Sequence, residues 1–323
     1  MVVNHERNLR EPDATSWKAG LEVFDLSDPT SPQSIGFHPV KGKGVHRVTY
    51  WEHPYAYISA SDDGYTDQFF VAVDLTDPEN PVEAGRWALP GMHAAAGEVP
   101  TWGESHRAAH HHSIIRGDRA YAGWVDSGLV ILDISDISSP QFVSQLDFGT
   151  RSTRPLPDSH FRSSASLLHG AGSMTHSAVP IPGKELLVVT EEAVRDNCME
   201  VKKSVWVVDI SDEKKPVVIG QFPVPEGDFC DRGGRFGPHN VHEMRPGTFQ
   251  SDSLIFLTYF NGGIRVVDIS DPASPTEVGH YVPEAPSGRA TIQFNDVIVR
   301  EDGTIFVTDR FAGGLYILEY AGA

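Results

Sequence analysis

Residues 263–275 read G-I-R-V-V-D-I-S-D-P-A-S-P: a short apolar strand that ends in Asp268 and runs at once into an Asp-Pro turn. The phrase recurs along the chain. It appears as L-E-V-F-D-L-S-D-P-T-S-P from Leu21, F-V-A-V-D-L-T-D-P-E-N-P from Phe70, L-V-I-L-D-I-S-D-I-S-S-P from Leu129 and V-W-V-V-D-I-S-D-E-K-K-P from Val205. A further copy, G-L-Y-I-L-E-Y from Gly314, stops before its turn. The marker acids Asp25, Asp74, Asp133, Asp209, Asp268 and Glu319 lie 49, 59, 76, 59 and 51 residues apart. An all-β unit recurring at this period predicts a β-propeller, because one unit cannot bury its own apolar face and must stack on its neighbours.

Each unit predicts four strands: an inner strand, a second strand, the V-x-V-D strand and an outer strand after the proline. In the second unit these are His46–Tyr50, Tyr55–Ser59, Phe69–Leu75 and Val82–Trp87. Runs of β-branched and aromatic residues bounded by Gly, Pro, Asp and Ser favour strand, and no apolar 3.6-residue period is sustained, so almost no helix is expected. Six units are recognisable, and the whole chain, 1–323, is read as one propeller domain with an axial channel. M-V-V-N-H-E reads as a second strand with no inner strand before it, and the last unit lacks an outer strand. The expectation is therefore an irregular closure or residues missing upstream of Met1.

The links after the V-x-V-D strands are short. Those from outer to inner strands are long, at Pro90–His111, Gly149–Thr175 and Pro225–Asn240, and so is the Glu191–Ser204 loop on the same face. Long loops on a rigid scaffold mark the face where a site is expected.

Histidines open the inner strands. His46, His112, His176 and His242 fall at corresponding places in four units, and Asn295 in the fifth. Imidazoles delivered to a partly dry channel either ligate a divalent transition metal (Fe, Cu, Zn, Mn or Ni) or bond backbone carbonyls beside water; four at equivalent positions favour the metal. His111 and His239 are read as second-layer or substrate-facing groups, able to replace their neighbours as ligands. Glu191, Glu192, Glu98, Glu243 and Asp296 are acids that could hold a ligand imidazole by its other N–H. Glu191 or Glu192 is preferred, and with Arg47 they form the catalytic candidates. Arg47, Arg235 and Arg310 offer charge to an anionic substrate or form ion pairs. Trp102, Phe236 and Tyr259 are pocket walls or core. His53, His93, His106, His160, His169 and His280 are read as solvated surface. Cys198 and Cys230 fall in loops of the histidine face and either pair or do not.

Composition narrows the partners. The chain has 26 Lys and Arg against 44 Asp and Glu, a formal charge of -18, which repels phosphate backbones and excludes nucleic acid as a partner class. No apolar run is long enough to span a membrane. The first residues lack the features of a signal peptide, so the default compartment is the cytoplasm unless residues precede Met1. No phosphate-binding loop, nucleophile elbow or flavin fingerprint is present.

The repeats V-V-D-I-S-D-P-A-S-P and L-V-I-L-D-I-S-D-I-S-S-P, with G-V-H-R-V, R-F-G-P-H-N-V-H-E and T-D-R-F-A-G-G-L-Y-I-L-E-Y, resemble the LVIVD-repeat β-propeller family. The resemblance covers nearly the whole chain and speaks to fold rather than activity. It implies one further unit, and seven blades, in longer members. Carotenoid-cleaving oxygenases and selenium-binding proteins are analogies of fold and histidine site only. The reading that results is a metalloenzyme, oxygenase- or oxidase-like, acting on a small organic molecule. The alternatives are a zinc lyase or hydrolase using the same site, and a non-enzymatic interaction propeller.

Overall fold

The computed structural model describes residues 1–7, 15–149, 172–311 and 313–322. Among these residues the regular structure is almost entirely strand, with a single 3-10 turn at Ala94–Ala96. His160, His169 and most of the 149–175 link lie outside the described residues. The chain divides into two compact units, Met1–Trp124 with Val130–Val143, and Val125–Leu129 with Ser144–Ala323.

The first unit contains the antiparallel sheet β1 (Val2–His5), β2 (Gly20–Asp25), β3 (Gln33–Pro39), and the sheet β4 (Val45–Thr49), β5 (Tyr55–Ala60), β6 (Phe69–Asp74), β7 (Val82–Trp87). It also holds most of the sheet β8 (His112–Arg116), β9 (Arg119–Gly123), β10 (Leu129–Asp133), β11 (Gln141–Leu146). The second unit contains β12 (Thr175–Pro180), β13 (Leu186–Glu191), β14 (Val205–Asp209), β15 (Val217–Gln221) as one sheet. Its other two sheets are β16 (Leu254–Thr258), β17 (Ile264–Asp268), β18 (Thr276–Tyr281), and β19 (Phe294–Val299), β20 (Thr304–Asp309), β21 (Gly314–Glu319). Each sheet follows chain order, as the repeat requires. Met1–Glu6 supplies a second strand, β1, paired with β2.

Burial follows strand position. The V-x-V-D strands β6 and β10 are buried on both faces, whereas the outer strands β7 and β11 expose one. Continuous apolar runs therefore mark the middle of each sheet and alternating runs its rim. Val71, Val73, Val130 and Leu132 belong to the core of the first unit, with Trp124 fully buried among them. Each such side chain contributes about 1.5–3 kcal/mol by leaving water.

The marker aspartates end the strands by an Asx turn. Asp25, Asp74, Asp133, Asp209 and Asp268 each accept the backbone N–H two residues on, from Ser27, Thr76, Ser135, Ser211 and Ser270, at 2.7–2.9 Å. Such a bond turns the chain where the ladder stops.

A second device lets the repeats stack. In four outer strands one extra residue bulges just before a glycine: Ile35 before Gly36, Ala84 before Gly85, Ile219 before Gly220 and Val278 before Gly279. A Cβ on Gly36 would stand 2.1 Å from the Pro78 carbonyl oxygen, on Gly85 1.9 Å from that of Ile137, and on Gly220 2.0 Å from that of Pro272. Those carbonyls belong to the Asp-Pro type turn of the following repeat. Glycine is thus required for backbone-to-backbone approach. Ser144 fills the corresponding place in β11 and converts the contact into a hydrogen bond, its Oγ donating to the Glu213 carbonyl at 2.5 Å.

Candidate functional site

The inner strands begin with an irregularity that decides where the histidines go. In β4 the register slips between Val45 and Val48, in β12 between Thr175 and Ser177, and in β19 between Phe294 and Asp296. His46, His176 and Asn295 lie within these bulges. At β8 both the His111 N–H and the paired residue His112 face Gly123, so His111 is the extra residue. Ahead of β16, the His239 N–H donates to the Thr258 carbonyl while the Thr258 N–H donates to that of Asn240, which makes His239 the extra residue. A bulge places two residues opposite one and re-aims the extra side chain. The corresponding residues of the five repeats are therefore His46, His111, His176, His239 and Asn295.

In the first unit His46 and His111 meet directly. Their Nε2 atoms are 3.0 Å apart and their rings cross at 72°. The 3.0 Å separation is that of an N–H···N hydrogen bond, and it also falls within the roughly 2.9–3.4 Å expected of two nitrogens each about 2.0–2.1 Å from one ion. The Nδ1 of His46 faces the Glu6 carboxylate at 2.8 Å. The other Glu6 oxygen accepts the Gln68 side-chain amide at 3.0 Å. Arg107 continues the chain, donating to Gln68 Oε1 and to Asp67. Burial opposes ionisation of Asp67, but Arg107 prevails and holds its carboxyl below the usual range. A carboxylate on the far nitrogen fixes the tautomer that leaves Nε2 as the donor atom.

In the second unit His176 and His239 lie with ring centroids 4.5 Å apart. The His239 Nδ1–H donates to the Asn295 carbonyl at 2.5 Å, which leaves Nε2 with the lone pair in the neutral ring. That Nε2 is 3.6 Å from Glu192 Oε1, and a ring nitrogen of His176 is within 4.8 Å of a Glu192 carboxylate oxygen. His176 Nδ1 bonds Ser177 Oγ at 2.7 Å. Arg235 holds Glu192 in place, Nη1 to Oε1 at 2.9 Å. His176 and Glu192 thus offer donor atoms close to each other, of types that a borderline divalent ion accepts, and His239 stands beside the same carboxylate.

Two expected ligands are placed differently. The Thr49 hydroxyl donates to the Ser113 carbonyl, so at 2.9 Å it accepts from His112 Nε2–H, and that nitrogen is not a donor atom for metal. His242 has both nitrogens engaged: Nε2 donates to the Phe249 carbonyl and Nδ1 accepts the Val299 N–H. Burial holds its pKa below the ordinary value, keeping the ring neutral for this structural bond. The residues that the bulges aim toward the other histidines are their neighbours His111 and His239. His110, which also carries no ligand geometry, is buried against Phe70 and Trp124 with Nε2 on Ser113 Oγ, and burial pushes its pKa down to about 3.

The acids separate likewise. Glu192 faces the histidines, whereas Glu191 is buried and accepts the Ser204 N–H and the Trp206 indole N–H, closing the base of the 191–204 loop. Glu98 caps its own loop through the Gly91 and His93 N–H groups, and those bonds lower its pKa. Asp296 is exposed and accepts the Val297 N–H. Glu243 lies 3.9 Å from Arg245. Asn295 acts through its backbone carbonyl, and Arg47 occupies the bulge beside His46. Trp102 packs against His106, and Phe236 against Tyr259 with both buried. Glu6 was not foreseen. Its signal was present: M-V-V-N-H-E and L-V-V-T-E-E both end a second strand in glutamate at the level of the bulge.

Cys198 and Cys230 form a disulfide, with Cα atoms 5.3 Å apart. It joins the 191–204 loop to the segment carrying Arg235 and His239. An Asp196–Arg235 bridge and the Asn197 N–H to Gly234 carbonyl bond reinforce the join. Among the described residues no helix is long and apolar enough to cross a membrane.

Among the described residues six small antiparallel sheets, repeated in chain order with a recurring turn and a recurring bulge, define a β-propeller. Solved structures agree on the fold. The β-propeller domain of Cps50 (Swd1) from Myceliophteria thermophila has a TM-score of 0.57 at 12% identity, over 94% of this chain and 79% of that one. A hypothetical selenium-binding protein from Sulfolobus tokodaii has 0.57 at 13%, over 94% and 72%. The periplasmic gluconolactonase PpgL of Pseudomonas aeruginosa has 0.58 at 11%, over 98% and 81%. The repeat is the LVIVD repeat, whose family model matches residues 15–37, 114–147 and 255–282, so the chain carries LVIVD repeats on a β-propeller. No curated protein matches it in sequence.

Proposed function

We propose that the chain binds a divalent transition metal through its bulge-position histidines and is an enzyme acting on a small organic substrate. The observation that carries this reading is the His46–His111 pair, Nε2 to Nε2 at 3.0 Å, with Glu6 on the opposite nitrogen of His46. His176, His239 and Glu192 are the corresponding donors of the second unit. When bound, the metal would supply Lewis-acid activation of a substrate oxygen, or activation of dioxygen. A Glu192 carboxylate oxygen not bound to the metal would accept or hold a proton beside His239. Oxygenase- or oxidase-like chemistry is the reading proposed; imidazoles with one carboxylate suit iron and copper as well as zinc, so a zinc lyase or hydrolase would use the same residues. A neighbour named as a selenium-binding protein and another named as a gluconolactonase are compatible with a ligand-binding or catalytic role. The Cys198–Cys230 bridge favours an oxidising compartment over the cytoplasmic default.

The rival reading, an interaction propeller with structural histidines, takes its support from His112 and His242, which bond protein groups. Elemental analysis of protein produced in metal-replete medium, paired with an oxygen-electrode assay, decides among these readings. The proposal expects stoichiometric metal that is lost in His46→Ala and His239→Ala but retained in His112→Gln. Metal-free wild-type protein, or equal loss in all three variants, overturns it.

A further inference from the structure

Arg235 and Arg310 both lie over the ring of Phe260, their guanidinium carbons 5.5 and 5.7 Å from its centroid, and the His239 ring is 4.8 Å from the same centroid. The arrangement is built from beneath. Gln293 is fully buried and ties both arginines by their backbones: its Oε1 accepts the Arg235 N–H, its Nε2 donates to the Arg235 carbonyl, and its own carbonyl accepts the Arg310 N–H. Phe260 is fully buried and holds a left-handed backbone, φ 44°, fixed by bridges to Phe236 and Phe294. A non-glycine residue in that region is strained and marks a place where the surroundings dictate the backbone.

Arg235 is only partly engaged. Nη1 donates to Glu192 Oε1 at 2.9 Å and to the Ala193 carbonyl at 3.4 Å. Its Nε and Nη2 have no protein partner among the described residues, though the side chain is only 27% exposed. The Nε/Nη2 edge presents two parallel N–H groups, matching the two oxygens of a carboxylate. A phosphate dianion at the same edge would be repelled more strongly by Glu192.

We propose that Arg235, assisted by Arg310 across the Phe260 ring, binds the carboxylate of a small organic monoanion and presents the rest of that molecule beside His239. This names a substrate class for the site in Proposed function and rests on that reading for the chemistry that follows, but binding itself requires no metal.

The test is calorimetric titration of chelator-treated, full-length protein with benzoate, benzamide, inorganic phosphate and sulfate. Benzoate should bind, with benzamide and the two inorganic anions weaker by about tenfold or more, since a charge-assisted bidentate contact is lost or distorted. Arg235→Met should weaken benzoate by a similar factor. Arg235→Lys keeps the charge but loses the fork, and should weaken benzoate several-fold; it carries the test if Arg235→Met does not fold. The proposal is overturned if benzamide matches benzoate, if phosphate or sulfate binds as tightly, or if Arg235→Lys leaves benzoate affinity unchanged. Benzoate binding only to metal-loaded protein also overturns it, because the carboxylate would then be a metal ligand. Benzoate binding to a protein that never acquires metal leaves this inference standing while the metal reading falls.

Discussion

Replacing His110 with glutamine should flatten the acid dependence of stability. His110 is 1% exposed, its Nδ1 has no hydrogen-bond partner and its Nε2 is bonded to Ser113 Oγ among Phe70 and Trp124. Burial disfavours the imidazolium, so the folded pKa falls to about 3 from an ordinary 6.5. The unfolded chain therefore binds the proton first as pH drops. The contribution is fully present above pH 6.5 and is lost progressively on acidification, down to the folded pKa. Within that window one proton is worth about 1.4 kcal/mol per pH unit, or roughly 2 kcal/mol by pH 5. His38 and His242 are depressed by burial in the same direction, so the wild type carries three such slopes and the variant keeps two. Urea unfolding followed by tryptophan fluorescence from pH 7 to 4, with chelator present, measures the difference. Wild type and His110→Gln curves that run parallel would refute the reasoning, as would an NMR titration placing His110 near 6.5 in the folded protein.

Three other perturbations have defined outcomes. Gly85→Val forces a Cβ to within 1.9 Å of the Ile137 carbonyl oxygen and should cost at least about 1–3 kcal/mol in urea, while Gly103→Ala, which meets nothing within 4 Å, should change stability little. Thr49→Val strands His112 Nε2 and the Ser113 carbonyl in a buried place; a loss of about 1–3 kcal/mol is expected, and a neutral result would mean that the hydroxyl bonds are dispensable. Cys198→Ser, or reduction with dithiothreitol, opens a bridge spanning 32 residues and should lower stability by about 2–4 kcal/mol, read as a drop in thermal midpoint that Cys230→Ser reproduces.

The strands of the second unit of sequence were legible almost to the residue: 55–59 was expected where Tyr55–Ala60 is found, and 82–87 where Val82–Trp87 is found. The reason is local. An apolar run stopped by an aspartate that turns the chain through its own side chain carries its boundaries with it. The histidine positions were legible as a group but not individually. A β-bulge shifts register by one residue and has no residue signature, so H-H-H at 110–112 leaves three choices and H-N-V-H at 239–242 leaves two. Only the ladder bonds to Gly123 and Thr258 select His111 and His239. The Glu191–Glu192 pair was similarly ambiguous, because adjacent residues on a strand end face opposite ways: one closes a loop, the other reaches His239. The disulfide was beyond sequence because its partners are brought together by two loops whose paths depend on the Asp196–Arg235 bridge.

The inner-strand bulge separates address from content. The backbone, through ladder bonds that any residue except proline could make, determines where the side chain is delivered; the residue delivered determines the chemistry. Four of the five such positions hold histidine and one holds Asn295. Histidine and asparagine codons differ by one base, so a repeat can exchange an imidazole for an amide in a single mutational step without disturbing the sheet. Propellers built on this plan could drift among metal centres, mixed sites and inert channels while keeping the same scaffold. Relatives would then be sorted by what occupies the positions of His46, His111, His176, His239 and Asn295 rather than by overall similarity.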